Sequence, residues 1–193
     1  MPLINDISTL PDDLPVPGDD GACNHLQGAR LPNQALPSTL GESVNLSVLS
    51  GWSIVFTYPR TGVPGQPALS DDWNRIPGAR GCTPQICGYR DLANDFVALG
   101  VRIFGLSTQT TTYQQEMVER IGVHFPVLSD HDLLLTKILS LPTITVAGHV
   151  LLRRMAWIVH NGVIETVFYP VFPPDACAER TLAWARAHLD EAC

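Results

Sequence analysis

A single-domain α/β fold is predicted by three features of this sequence. Strand-length runs of apolar, β-branched and aromatic residues alternate with stretches of helical periodicity between residues 53 and 139. Asn161-Gly162 stands between two more strand-length runs and is a strong hairpin signal. At 193 residues, 45% hydrophobic and 16% charged, the chain suits one domain with a sizeable core. No internal repeat is visible.

Residues 1–30 are rich in Pro, Asp and Gly and read as an irregular arm ahead of a domain over 31–193. A short strand, a turn at Gly41 and a second strand near 44–46 open that domain. The run 53–58, Ser-Ile-Val-Phe-Thr-Tyr, has the composition of a central strand, and Pro59 ends it. The connection over about 60–80 is rich in proline and glycine. Loops of that length are often functional, and Asp71-Asp72-Trp73 supplies one bulky anchor, so an ordered lid is expected. Ile86, Tyr89, Ala93, Phe96 and Val97 recur at three- and four-residue steps and predict a helix over 83–98. Pro84 suits its first turn, Thr83 can cap it, and Gly100 can close it. A strand over 101–107 follows, then a helix over 111–122 with Gln114, Met117, Val118 and Ile121 on one side. A short strand at 125–128 leads to a helix near 131–139, capped by Ser129 or Asp130. The remaining elements are a strand over 151–159, its hairpin partner over 163–169, and a last helix after Pro173-Pro174. That helix turns Ala178, Leu182, Ala185 and Leu189 inward.

A formal charge of −7 argues against non-specific nucleic-acid binding. No apolar run reaches the length of a membrane span. Residues 1–17 carry three acids, no base and no apolar core, so they do not read as a secretory signal. The five cysteines form no spaced framework, which suggests a reducing compartment, the cytoplasm, and a catalytic rather than structural use for any disulfide. With no CxxC, no HxxxH and scattered histidines, no metal site is expected.

The chemistry concentrates between residues 76 and 91, Ile-Pro-Gly-Ala-Arg-Gly-Cys-Thr-Pro-Gln-Ile-Cys-Gly-Tyr-Arg-Asp. Cys82 falls at or just before a helix N-terminus, which favours negative charge, and the thiolate is the reactive form of cysteine. Between Asp72 and Asp91 there is no acid, while Arg75, Arg80 and Arg90 are present. The segment runs against the acidic background of the chain.

Gly-Cys-Thr-Pro-Gln-Ile-Cys-Gly-Tyr-Arg-Asp resembles the active-site segment of Q-type peroxiredoxins, the bacterioferritin comigratory proteins. The likeness runs in order from about Leu31 to Pro170. It takes in Val-Phe-Thr-Tyr-Pro at 55–59, Gly-Leu-Ser at 105–107, Phe-Pro-Val-Leu-Ser-Asp at 125–130 and an arginine before Trp-Ile-Val at 157–159. The resemblance implies a thioredoxin-like α/β sandwich, a mixed central sheet with helices on both faces. It implies a thiol-dependent peroxidase acting on hydrogen peroxide or organic hydroperoxides, with thioredoxin or glutaredoxin as reductant and no cofactor. A monomer is expected, with a weak dimer as the other option. Two rival readings are a general thiol–disulfide oxidoreductase, which would want CxxC, and a redox sensor switched by the 82–87 pair.

By the same resemblance Cys82 is the peroxidatic thiol, against the plainer reading of a buried structural cysteine. Cys87, five residues on, is the resolving thiol. An intact helix would hold the two Cα atoms about 8.6 Å apart, beyond the roughly 7 Å a disulfide spans, so the first turns must unwind for the bond to form. Arg154 matches the family's arginine over the thiolate, while alternation along a strand would turn Arg153 to the other face. The family's loop, Pro-x-x-x-Thr/Ser-x-x-Cys, is not kept here. Ala79 stands where the hydroxyl belongs, and Pro59 lies 23 residues before Cys82, so roughly 16 residues are inserted. Thr61 is the hydroxyl expected to substitute. Pro59, Gly81, Thr83 and Gln85 are expected around the substrate pocket, Gln85 as a supporting polar group. Cys23, Cys177 and Cys193 read as idle thiols.

Overall fold

The computed structural model describes residues 9–189. Two short strands, β1 (Ala35–Leu36) and β2 (Val44–Asn45), pair antiparallel outside the main sheet. Then come β3 (Trp52–Thr57), α1 (Cys82–Asp91), α2 (Ala93–Ala98), β4 (Val101–Ser107), α3 (Thr111–Ile121), β5 (Val127–Ser129) and α4 (Leu134–Ile138). The chain ends with β6 (Thr143–Val146), β7 (His149–Leu152), β8 (Ala156–His160), β9 (Val163–Phe168) and α5 (Cys177–Leu189).

The main sheet has the order β5-β4-β3-β8-β9. β3 runs parallel to β4 and antiparallel to β8, so the sheet is mixed and β3 is its centre. A strand covered on both faces is apolar without alternation, as β3 is. Ile54 and Phe56 pack with Ile86, Tyr89, Phe96, Met117 and Leu182 on the face of α1, α2, α3 and α5. Val55 packs with Leu26, Leu31, Leu135, Leu139 and Trp157 on the opposite face, against α4 and the segment before β1. This is the thioredoxin-like sandwich, with helices on both sides of a mixed sheet. Among the described residues no helix is long and apolar enough to cross a membrane.

Four local expectations are corrected. The helix expected over 83–98 is two helices, because the chain tightens at Leu92 (φ −98°, ψ 8°); Phe96 still reaches Tyr89, with ring centroids 5.9 Å apart. Thr83 is not the N-cap. That place belongs to Gly81, at φ 102°, where a Cβ would collide with the Pro174 ring and approach Leu10 Cδ2 to 2.8 Å. Only glycine meets both demands. The helix expected from about 131 begins at Leu134, with Asp130 capping from outside it. The Asp130 carboxylate accepts from the backbone N–H groups of Leu135 (3.0 Å) and Thr136 (2.7 Å).

The strand expected over 151–159 is broken. β7 turns back onto β6 through Ala147 (φ 47°) and Gly148 (φ 80°), while β8 joins the main sheet. Thr57 fixes the break, its hydroxyl donating to the Arg153 carbonyl (2.6 Å) and accepting from the Met155 N–H (3.0 Å). Arg154 therefore sits in a pinned turn between strands, and Arg153 diverges from it for that reason rather than by strand alternation. The arm over 1–30 also ends in the core: Cys23 and Leu26 are buried, and the Gly28 N–H donates to the Ile164 carbonyl at 2.7 Å.

Candidate active site

α1 delivers Cys82 as its first residue, one step past the glycine cap, and buries it to 3% exposure. The leading N–H groups of a helix lack intrahelical partners. Gly81 offers no side-chain cap, and Pro84 removes one of those donors. The N–H groups of Cys82 and Thr83 stand at the end of the helix dipole that favours anions.

Arg154 is 3% exposed and closes over the sulfur. Its Nη2 donates toward Cys82 Sγ (3.3 Å) and toward the carbonyls of Gly78 (3.2 Å), Ala79 (3.4 Å) and Arg80 (3.1 Å). Its Nη1 donates to Gln85 Oε1. Gln85 is fully buried and donates in turn to the Thr57 carbonyl (3.3 Å) and Cys177 Sγ (3.6 Å). No carboxylate pairs with Arg154 among the described residues. The ionisable side chain within hydrogen-bond distance of its guanidinium, among the described residues, is Cys82. Cys82 Sγ also lies 3.6 Å from the Ala79 carbonyl oxygen.

Cys82 opens into a cavity of about 210 Å³. Gly81 and Thr83 line it from the helix, Arg60 and Thr61 from the end of β3, Tyr113 from α3, and Gln66, Pro67, Ala68, Leu69, Trp73 and Arg80 from the inserted loop. The connection over 62–80 is thus a wall of the site. Trp73 pins it by packing with Ala79, Val146 and Leu151, which ties it to the β6–β7 hairpin. Thr61 is 1% exposed, and its N–H (3.0 Å) and hydroxyl (3.1 Å) both donate to Gln109 Oε1. Pro59 and Gln85 do not line this cavity. Pro59 borders a second one beyond Arg154, and Gln85 is held behind the arginine.

Arg75 is exposed and paired with Asp72 at 3.1 Å, away from the cavity wall. Arg153 bonds Asp20 (2.6 Å) and the Tyr169 hydroxyl (3.0 Å). Cys87 is half-buried on α1, and burial raises its thiol pKa, the largest influence on it. Cys23 is buried against Met155 Sδ (3.7 Å), and burial, with Asp20 and Asp19 adding, pushes it up to about 12. Cys177 stands behind the site rather than apart from it. Its sulfur meets Gln85 and the Tyr89 hydroxyl (3.3 Å), and burial raises its pKa. Cys193 lies outside the described residues.

Gln109, Tyr113 and Arg60 escaped the reading of the sequence. Gln109 follows β4 by two residues, and the carboxyl ends of parallel strands are where sites of open α/β sheets gather; that positional rule was the available signal. Nothing in the sequence linked Cys177 to Gln85.

A cysteine opening a helix beside a thioredoxin-like sheet, under a buried arginine, places the chain among the thioredoxin-like thiol proteins. The family model for Redoxin matches residues 26–183. The chain belongs to that family, and its likeness within it is to the Bcp and Q kind of peroxiredoxin. It is 31% identical to peroxiredoxin Bcp of Escherichia coli K12 over 102 residues, 52% of this chain and 55% of that one. It is 26% identical to the chloroplastic peroxiredoxin Q of Oryza sativa subsp. japonica over 157 residues, 81% of this chain and 64% of that one. The chain thus spans little more than half the length of the first of these relatives. The crystal structure of peroxidoxin BcpB from Mycobacterium tuberculosis shares the fold, with a TM-score of 0.66 and 24% identity over 84% of this chain and 97% of that one.

Proposed function

We propose that the protein is a thiol-dependent peroxidase with Cys82 as its nucleophile. One observation carries the reading: the Arg154 guanidinium, buried without a carboxylate among the described residues, lies 3.3 Å from Cys82 Sγ. A group so placed faces the charge that develops as the peroxide bond breaks. Sγ attacks the terminal peroxide oxygen. The S–O bond forms and the O–O bond breaks, and its electron pair stays on the departing oxygen. That oxygen takes up a proton and leaves as water or an alcohol, and Cys82 becomes a sulfenic acid, oxidised by two electrons.

Thr61 has an acceptor's part in this reading. A hydroxyl has one proton to give, and here it goes to Gln109 Oε1. The Thr61 oxygen is left with lone pairs for a peroxide O–H, so it stands in for the hydroxyl missing at Ala79. Cys87 then attacks the sulfenic sulfur, water leaves, and a disulfide joins 82 and 87. An external dithiol such as thioredoxin or glutaredoxin returns both thiols. Since α1 is continuous from Cys82 to Asp91, the disulfide requires its first turns to open.

Peptide mass spectrometry after one equivalent of hydrogen peroxide tests the proposal. A Cys82–Cys87 disulfide is expected, with sulfenic acid at Cys82 in Cys87→Ser. Peroxide consumption with Cys82 unmodified would overturn it.

A further inference from the structure

We propose that the substrate is an organic hydroperoxide that carries a carboxylate, with Arg60 as the residue that recognises the acid. This rests on the peroxidase reading of Cys82 and concerns the cavity wall, which the reaction at sulfur leaves unspecified.

Hydrogen peroxide is little larger than water, and about one probe sphere of space, roughly 10–15 Å³, houses a water. The cavity offers about 210 Å³, so it is shaped for a substrate with a body. Part of its wall is apolar, with Pro67, Ala68, Leu69 and Trp73 supplied by the insertion. Such a wall suits a carbon chain or ring.

Its charge is one-sided. Two guanidinium groups line it, and no aspartate or glutamate does among the described residues, although the whole chain is at −7. Arg80 is anchored through Nη2 on the Thr9 carbonyl (3.3 Å). Arg60 is different. Its guanidinium carbon lies 4.5 Å from the centre of the Tyr113 ring, and it has no ion-pair partner among the described residues. On α3 beyond Tyr113, Glu116 is already paired with Arg120 at 2.7 Å. Stacking covers one face of a guanidinium and orients it, leaving its N–H edge for a planar bidentate acceptor. A carboxylate is such an acceptor. With its acid on Arg60 and its body on the apolar wall, a substrate can turn its O–O group toward Cys82 and Thr61 in the same cavity. The redox step is unchanged: Cys82 gains the terminal oxygen, and the substrate leaves as its hydroxy acid.

The test is a matched pair, cumene hydroperoxide with a para carboxylate and its methyl ester, with hydrogen peroxide as a third probe. Stopped-flow fluorescence reads the second-order rate of Cys82 oxidation. The acid is expected to react at least about tenfold faster than the ester at low salt, the order of one charge-assisted hydrogen bond. The ratio should shrink as ionic strength rises. In Arg60→Gln it should fall to about one, and Arg60→Lys should restore part of it. A wild-type ratio near one, or a ratio that survives Arg60→Gln, overturns the proposal and leaves the peroxidase reading intact. If none of the three probes oxidises Cys82, the peroxidase reading falls and takes this proposal with it.

Discussion

Replacing Arg154 by methionine asks most of the site. The change keeps a side chain of similar reach and removes all of its donors. Cys82 Sγ loses a partner at 3.3 Å, Gln85 Oε1 loses its donor, and the carbonyls at 78–80 lose theirs. A hydrogen bond to a charged group contributes about 1.5–3 kcal/mol. Lost from the transition state, that is about tenfold to a hundredfold in rate. The orphaned acceptors act on stability instead, at about 1–3 kcal/mol for each one that water cannot reach. The two effects separate by measurement. Thermal melting followed by circular dichroism shows whether Arg154→Met is folded, and stopped-flow oxidation, with Trp73 in the cavity wall as the reporter, gives the rate. Arg154→Lys restores the charge without the fork that reaches sulfur, Gln85 and the loop together, so it should recover part of the rate. A folded Arg154→Met protein oxidised within about threefold of the wild-type rate would refute the role proposed for Arg154. Arg153→Met serves as the control, since its partners, Asp20 and Tyr169, do not line the Cys82 cavity.

Cys82→Ser should leave the fold intact and abolish peroxide turnover, with residual activity below about a thousandth of wild type in a coupled assay. Cys87→Ser should keep the first oxidation rate but stop recycling through thioredoxin, and with excess peroxide the sulfenic acid should advance to sulfinic acid, read as a mass increment at Cys82. Thr61→Val should slow Cys82 oxidation about tenfold or more; an unaffected stopped-flow rate would show that its oxygen takes no part. Cys23 predicts a pH dependence. Its folded pKa of about 12 lies above the ordinary value of 9.0, so the folded state holds a proton that the unfolded chain gives up. The stability this contributes is full below pH 9 and is lost as pH rises toward about 12. Urea unfolding across that window should show a shallower alkaline decline in Cys23→Ala than in wild type.

The sheet was legible because its strands are buried on both faces and carry unbroken apolar runs, as in Ile54-Val55-Phe56 of β3 and Ile103-Phe104 of β4. The β6–β7 hairpin was not, since Ala147-Gly148 makes the turn and Ala147 accepts a positive φ that alanine rarely adopts. With that turn unseen, β7 and β8 read as one strand. Around the site, residues inside the Cys82 segment could be named because they are contiguous. Arg60, Gln109 and Tyr113 are brought there by the end of β3, the end of β4 and the first turn of α3, a juxtaposition that exists only in the folded chain.

The same limit explains how so long a connection can precede Cys82 without displacing it. The connection leaves the framework after Thr61, which Gln109 grips by its N–H and its hydroxyl. It returns at residues 78–80, whose carbonyls converge on the Arg154 guanidinium. Arg154 is itself set by the strand break that Thr57 pins and by Gln85 on α1. Both ends of the loop are therefore anchored to the sheet and its crossovers rather than to each other. Closing a longer loop costs only slowly rising entropy, and Trp73 offsets part of that by burying itself against Ala79, Val146 and Leu151. The positions of Thr61 and Cys82 are thus independent of the length between them. What the residues between them form is the wall of the cavity beside the sulfur.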